Sequence, residues 1–96
     1  MPPVIRSFRS TETEKIWHGL ASRRLPTDIQ PIARRKLRML NNAASLQDLR
    51  VPPHNRLEAL RGDREGRHSI RVNDQWRICF RWYDGDAFDV EIVDYH

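Results

Sequence analysis

Residues 68 to 82, HSIRVNDQWRICFRW, alternate between apolar and polar positions, and the polar positions hold the first groups able to do chemistry. His68, Ile70 and Val72 share one parity; beyond Asn73-Asp74, Trp76, Ile78, Phe80 and Trp82 share another. Between them lie Ser69 and Arg71, then Gln75, Arg77, Cys79 and Arg81. Burying one face of a sheet does not require three arginines on the other. Such a row is either a solvated surface or a surface that holds an anion, because the arginine fork matches two oxygens of a phosphate or carboxylate. A second cluster is Asp94-Tyr95-His96. Histidine carries protons near neutral pH, tyrosine stacks on a base or donates to phosphate, and aspartate orients a neighbour or accepts a proton. Successive strand residues point to opposite faces, so Asp94 and His96 share a side and Tyr95 takes the other. All three meet one substrate only if the chain twists at its end.

The elements that must position these groups are legible in the spacing. VIRSF, residues 4 to 8, is short and β-branched and predicts an opening strand. Thr11 followed by Glu14 has capping-box spacing and starts a short helix over TETEKIWHGL, with Ile16, Trp17 and Leu20 on its buried side. Asp28 is placed to cap a second, longer helix that tolerates Pro31 in its first turn. There Ile29, Ala33, Leu37 and Leu40 recur at helical spacing, while Arg34, Arg35 and Arg38 point away. SLQDL adds a turn before Pro52-Pro53 ends the helical region. RLEALR predicts a strand, GDREG a turn, residues 68 to 82 two strands joined at Asn73-Asp74, and FDVEIVDY a last strand after the Asp84-Gly85 turn. The expected class is α+β: an N-terminal strand and two helices packed on one face of a mostly antiparallel sheet. The helices cover one face only, so Trp76, Ile78, Phe80 and Trp82 face them, and Arg71, Arg77 and Arg81 line the open face.

Composition narrows the partners. Ninety-six residues are expected to form a single domain, residues 1–96. Seventeen Lys and Arg against thirteen Asp and Glu give a formal charge of +4, and lysine stands only at 15 and 36. That favours an anionic partner such as nucleic acid or an acidic protein. The single cysteine, Cys79, excludes an internal disulfide and fits a reducing compartment. No apolar run approaches the roughly 18 to 20 residues that span a bilayer, and the first ten residues lack the apolar stretch of a signal peptide, so a cytoplasmic protein with no membrane partner is expected. His18 and His68 read as partly buried structural residues. The histidines and Cys79 lack metal-ligand spacing, so neither metal nor cofactor is expected. Cys79 lacks an evident base partner that would make it a nucleophile.

The stretch NRLEALRGDREGRHSIRVNDQWRICFRW, followed by VEIVDYH, resembles the HigB branch of the RelE/ParE toxin superfamily. The resemblance extends to the opening IRSF and the helix pair. It implies the RelE/ParE-like fold and a toxin of a type II toxin–antitoxin pair: a ribosome-dependent endoribonuclease, independent of metal, that cuts mRNA in the ribosomal A site. It also implies a HigA-like helix-turn-helix antitoxin, and we expect the assembled pair to bind its own promoter DNA. Cutting RNA without a metal requires activation of the ribose 2′-hydroxyl, cations at the attacked phosphate, and an acid for the leaving 5′-oxygen. In the family pattern the arginine of WRI is functional, which assigns Arg77 to the phosphate, and Asp94, Tyr95 and His96 help to align RNA and move protons. The chain departs from the pattern on RLEALRG, where some HigB nucleases carry a histidine and a lysine and this chain carries Glu58 and Arg61. His54 lies four positions early and does not take over the role. Glu58 is either the general base or a surface carboxylate paired with an arginine. Arg61, Arg64 and Arg67 around the GDREG turn, with Arg71 and Arg81, are expected contacts to messenger or ribosomal RNA, or else solvated charge or antitoxin contacts. Two other readings stay open: the same fold acting on another target such as DNA gyrase without cutting RNA, and a binding module without activity.

Overall fold

The computed structural model describes residues 3–64 and 66–95, and of Arg64 the backbone alone. Four strands, β1 (Glu58–Ala59), β2 (Arg67–Arg71), β3 (Trp76–Tyr83) and β4 (Asp86–Asp94), form an antiparallel meander in the order β1-β2-β3-β4. The β3–β4 hairpin closes on Asp84 and Gly85, which take φ of 51° and 81°. Positive φ at both turn positions gives the twist that matches the flanking strands. Register places Arg71 opposite Arg77 and Arg77 opposite Val93, then Ser69 opposite Cys79 and Cys79 opposite Glu91. A bulge follows, with Arg81 opposite Phe88. The extra residue comes from β4, where Asp89 has φ 54°. Simple alternation would send Phe88 to the core with Val90 and Ile92; the bulge turns it onto the arginine face instead.

The expected opening strand is present only as two isolated parallel bridges, Ile5 to Ala87 and Phe8 to Val90. Together with Thr13, whose buried hydroxyl accepts from the amide of Ile92 at 2.9 Å, this segment covers the outer edge of β4. An edge covered in this way is closed to pairing with another chain.

Helix α1 (Thr11–Trp17) starts one residue earlier than its capping-box spacing implies, because Ser10 is the cap and its Oγ accepts from Thr13 N at 3.2 Å. The helix is too short to bury Leu20, which is 59% exposed. Gly19, at φ 83°, turns the chain away before it. His18 is also exposed, beside Glu14 at 3.7 Å, and so is not the half-buried residue expected. Helix α2 (Gln30–Asn41) follows a 3-10 turn over Thr27–Ile29, and Asp28 makes no capping bond. Gln30 does the anchoring, donating to the carbonyls of Ser22 and Leu25 at 2.8 and 2.9 Å. Ile29, Ala33, Leu37 and Leu40 are fully buried, as their spacing predicts, and Arg35 and Arg38 are exposed. Arg34 turns back instead, donating from Nε to the Ile16 carbonyl at 3.0 Å and satisfying an acceptor at the end of α1. RLEALR contributes only the two residues of β1; its neighbours form irregular backbone.

The helices cover one face of the sheet, packing on Ile70, Ile78, Phe80, Val90 and Ile92, with Trp76 and Trp82 at the margins. His68 stacks on Phe80 with centroids 6.2 Å apart, and its Nδ1 is buried without a hydrogen-bond partner among the described residues. Burial lowers its pKa below the usual histidine value. The folded state therefore resists a proton that the unfolded chain accepts near pH 6.5. Its stabilising contribution is complete above about pH 6.5 and is lost as pH falls through the lower folded value. A melting temperature that drops between about pH 7.5 and 5.5 is expected, with a shallower drop in His68→Phe. Identical slopes in the two proteins would remove His68 from the pH response.

Candidate active site

On the other face of the sheet, the structure corrects the expected exposure of Arg77. Its side chain belongs to the polar row, but the residue is only 6% exposed. Nε donates to Ser69 Oγ at 2.9 Å, and Nη2 donates to the carbonyl of Arg56 and, at 3.4 Å, to that of Ser69. Nη1 faces Glu58, with Oε1 at 3.2 Å. The ring of Tyr95 lies 5.3 Å from the guanidinium carbon, within cation–π range. Most of the fork is thus spent on the protein itself, which fixes the guanidinium in one orientation. Nη1 is the part left to engage an incoming oxygen, and Glu58, half exposed, is its present neighbour. Of the alternatives open for Glu58, the pairing with an arginine is realised, in a position where the carboxylate also meets solvent.

The loop behind Arg77 explains this burial. Arg56 takes φ 45°, which aims its carbonyl at Nη2. The preceding residue, Asn55, is fully buried and donates from Nδ2 to Leu49 O at 3.1 Å and Val51 O at 3.4 Å, while its Oδ1 accepts from Lys36 Nζ at 2.6 Å. Burial and the nearby charges of Arg35 and Arg71 hold the pKa of Lys36 below the usual lysine value. Removing the Asn55 amide leaves a part-buried ammonium and two carbonyls short of partners. Asn55→Ala is therefore expected to cost about 2 to 3 kcal/mol, read from denaturant midpoints. A loss under about 0.5 kcal/mol would show that the loop is held by other contacts. Sequence reading missed Ser69, Asn55 and the Arg56 carbonyl. The signal for Ser69 was present: a small hydroxyl residue within a row of long cations leaves room for one of them to lie across it.

The other expected site residues are dispersed. Tyr95 reaches the Arg77 cluster, but Asp94 does not: it stands opposite Trp76 and accepts from Gln75 Nε2 at 3.0 Å, on the reverse side of the sheet. His96 and the Arg64 side chain lie outside the described residues. Arg71 pairs with Asp74, Arg81 lies over the Phe88 ring and 3.7 Å from Asp89, and Arg61 is exposed. Arg67 is pinned to Glu91 at 3.4 Å and to the Asp89 carbonyl at 3.2 Å, with its side chain only 12% exposed. Cys79 is buried beside it. Among the described residues no three His, Cys, Asp or Glu side chains gather to hold a metal ion, and no helix is long and apolar enough to cross a membrane.

Comparison with known proteins agrees with this architecture. The chain is 46% identical over 67 residues to Toxin HigB-1 of Vibrio cholerae, covering 70% of each chain. It is 29% identical over 93 residues to Endoribonuclease HigB of Proteus vulgaris, covering 97% of this chain and all of the relative. Among solved structures, YafQ of E. coli superposes with a TM-score of 0.58 at 14% identity, over 94% of this chain and 90% of that one. The Mycobacterium tuberculosis RelBE2 toxin–antitoxin complex matches with a TM-score of 0.50 at 18% identity, over 99% of this chain and all of the matched chain. At those identities the two structures establish the shared α+β fold. Residues 6–96 match the model of the HigB-like toxins, described as the RelE-like toxin of the type II toxin-antitoxin system HigB, and the chain belongs to that family, whose members act opposite an antitoxin.

Proposed function

We propose that this chain is an endoribonuclease that inhibits translation by cutting mRNA in the ribosomal A site, using side chains alone. The observation that carries the reading is the Glu58–Arg77–Tyr95 cluster: a fixed, buried cation with a solvent-facing carboxylate on one side and an aromatic ring on the other. The Proteus relative, which bears the name endoribonuclease and aligns over nearly the whole chain, supports it. In this scheme the 2′-hydroxyl loses its proton to Glu58 and attacks phosphorus, so that the P–O2′ bond forms as the P–O5′ bond breaks. Arg77 stabilises the charge that builds on the phosphate, Tyr95 positions the substrate, and His96 returns a proton to the 5′-oxygen. Asp94 stands outside this scheme, because its carboxylate is held by Gln75 on the face away from Arg77. Exposed cations at Arg35, Arg38 and Arg61 supply contacts to ribosomal RNA. The partner that restrains the toxin is a HigA-like helix-turn-helix antitoxin, and the pair binds its own promoter DNA.

Mapping mRNA 5′ ends on ribosomes after a brief pulse of expression tests this directly, and cuts in frame with the A site are the expected result. Naked RNA should scarcely be cut, since Arg77 already spends most of its donors on the protein and the ribosome must supply part of the alignment. Growth arrest with intact mRNA would overturn the nuclease reading and favour a different target, such as DNA gyrase. Efficient metal-independent cutting of free RNA would overturn the ribosome requirement.

A further inference from the structure

The loop that carries Arg56 and Glu58 into the site is poorly anchored by its own backbone. Pro52 and Pro53 have no N–H to donate. The amides of Asn55 and Arg56 donate back to Pro52 O and Pro53 O at 3.0 and 3.1 Å, which shapes the loop without tying it to the rest of the fold. Leu57 packs against the core, but apolar contact is non-directional and sets depth rather than the aim of a carbonyl. β1 adds only the pairing of Glu58 and Ala59 with Ser69 and His68. The directional link runs to α2. Lys36 Nζ donates to Asn55 Oδ1 at 2.6 Å, while Asn55 Nδ2 also reaches Met39 Sδ at 3.0 Å, a weak acceptor. The ammonium keeps this place although it is partly desolvated and Arg35 and Arg71 repel it. A hydrogen bond from a charged donor is roughly twice as strong as a neutral one. Losing it frees the loop at the point where the chain enters the left-handed turn of Arg56.

We propose that Lys36 is a positioning residue for RNA cleavage: from α2, packed on the opposite face of the sheet, it holds Asn55, and thereby fixes the Arg56 carbonyl against Arg77 and sets Glu58 beside it. Lys36 acts through the loop and does not touch the substrate. The inference rests on the nuclease reading for its effect on rate. The Arg56 carbonyl takes Nη2, so its placement leaves Nη1 to face Glu58 and an incoming oxygen. Glu58 follows Arg56 by two residues, so one movement of the loop displaces the support of the cation and the base together. A misplacement of about 1 Å that begins far from the chemistry costs on the order of a hundredfold in rate. An anchor that only stabilised the fold would lower the amount of folded protein and leave the rate of each folded molecule unchanged. Lys36 instead governs that rate.

Two measurements on the full chain test the proposal. In the first, arginine side chains are labelled with nitrogen-15 and the Nε–H signal of Arg77 is assigned by its loss in Arg77→Lys. In Lys36→Met, which keeps the stem and removes the ammonium, that signal should shift and its hydrogen should exchange at least about tenfold faster than in the wild type. An unchanged signal would overturn the coupling whatever the protein does to RNA. In the second, cutting of mRNA on ribosomes is followed per folded molecule as the ribosome concentration is raised. Lys36→Met should lower the rate at saturation by about ten- to a hundredfold, with half-saturation within about twofold of the wild type. Arg35→Gln removes a charge from the adjacent position and, as a contact to RNA, should raise half-saturation and keep the saturated rate. A Lys36→Met protein that behaves like Arg35→Gln would make Lys36 another phosphate contact and overturn the positioning role. Equal losses of saturated rate in both variants would overturn it as well, since net charge would then be the cause. A wild type that cuts nothing while the Arg77 signal still depends on Lys36 sinks the nuclease reading, and with it the role in catalysis, but not the coupling.

Discussion

Arg77→Ala is expected to abolish growth inhibition, with the rate of mRNA cutting falling more than about a hundredfold, or about 3 kcal/mol of transition-state stabilisation. The structure adds a second consequence that strand parity alone would not predict. Arg77 is buried, so alanine leaves Ser69 Oγ and the Arg56 carbonyl without their donor and Glu58 without its cation. Glu58 is half exposed and recovers water, which keeps the cost below that of a fully buried broken pair; a stability loss of about 2 to 3 kcal/mol is expected. Activity must therefore be scored per folded molecule. Arg77→Lys separates the two effects: it keeps the charge but not the fork, so it should recover part of the stability and little of the activity. Wild-type cutting by either folded variant would take Arg77 out of the mechanism.

Removing Tyr95 and His96 should have the opposite profile, eliminating growth arrest at little structural cost. Tyr95 follows the last buried residue, Ile92, and is 37% exposed, so among the described residues the truncation gives up part of one ring, its contact with Arg77 and the hydrogen bond from its amide to the Gln75 carbonyl at 2.6 Å. Roughly 1 to 2 kcal/mol should be lost, visible as a small drop in melting temperature. Tyr95→Phe refines the result. It keeps the ring over the guanidinium and removes the hydroxyl, so retained arrest assigns the ring to positioning, and lost arrest assigns the hydroxyl to hydrogen bonding with the substrate. A truncated protein that still arrests growth at equal expression would exclude the end of the chain from the chemistry.

How far the sequence reaches follows from the range of each interaction. Alternation over residues 68 to 82 identified the core face, because a period of two is a property of the strand itself and a buried face needs apolar residues along its length. The helical spacing of Ile29, Ala33, Leu37 and Leu40 located α2 for the same local reason, and the short motifs around WRI and DYH were enough to indicate the family. Membership in the polar row said which face Arg77 occupies but not how exposed it is. That depended on Asn55 drawing a proline-rich loop against Lys36 and turning the Arg56 carbonyl onto the guanidinium, contacts between residues 19 and 21 positions apart. Parity likewise separated Tyr95 from Asp94 and set it opposite Val90 and Ile92, yet only the fold showed that its ring reaches the Arg77 guanidinium, and only the fold showed that the bulge at Asp89 moves Phe88 onto that face. The sequence alone determined the layers, the core and the kind of chemistry available. Which polar groups meet, and which of them are shielded from water, was decided by tertiary structure, because loop placement and a one-residue bulge act between segments whose contact no local pattern encodes.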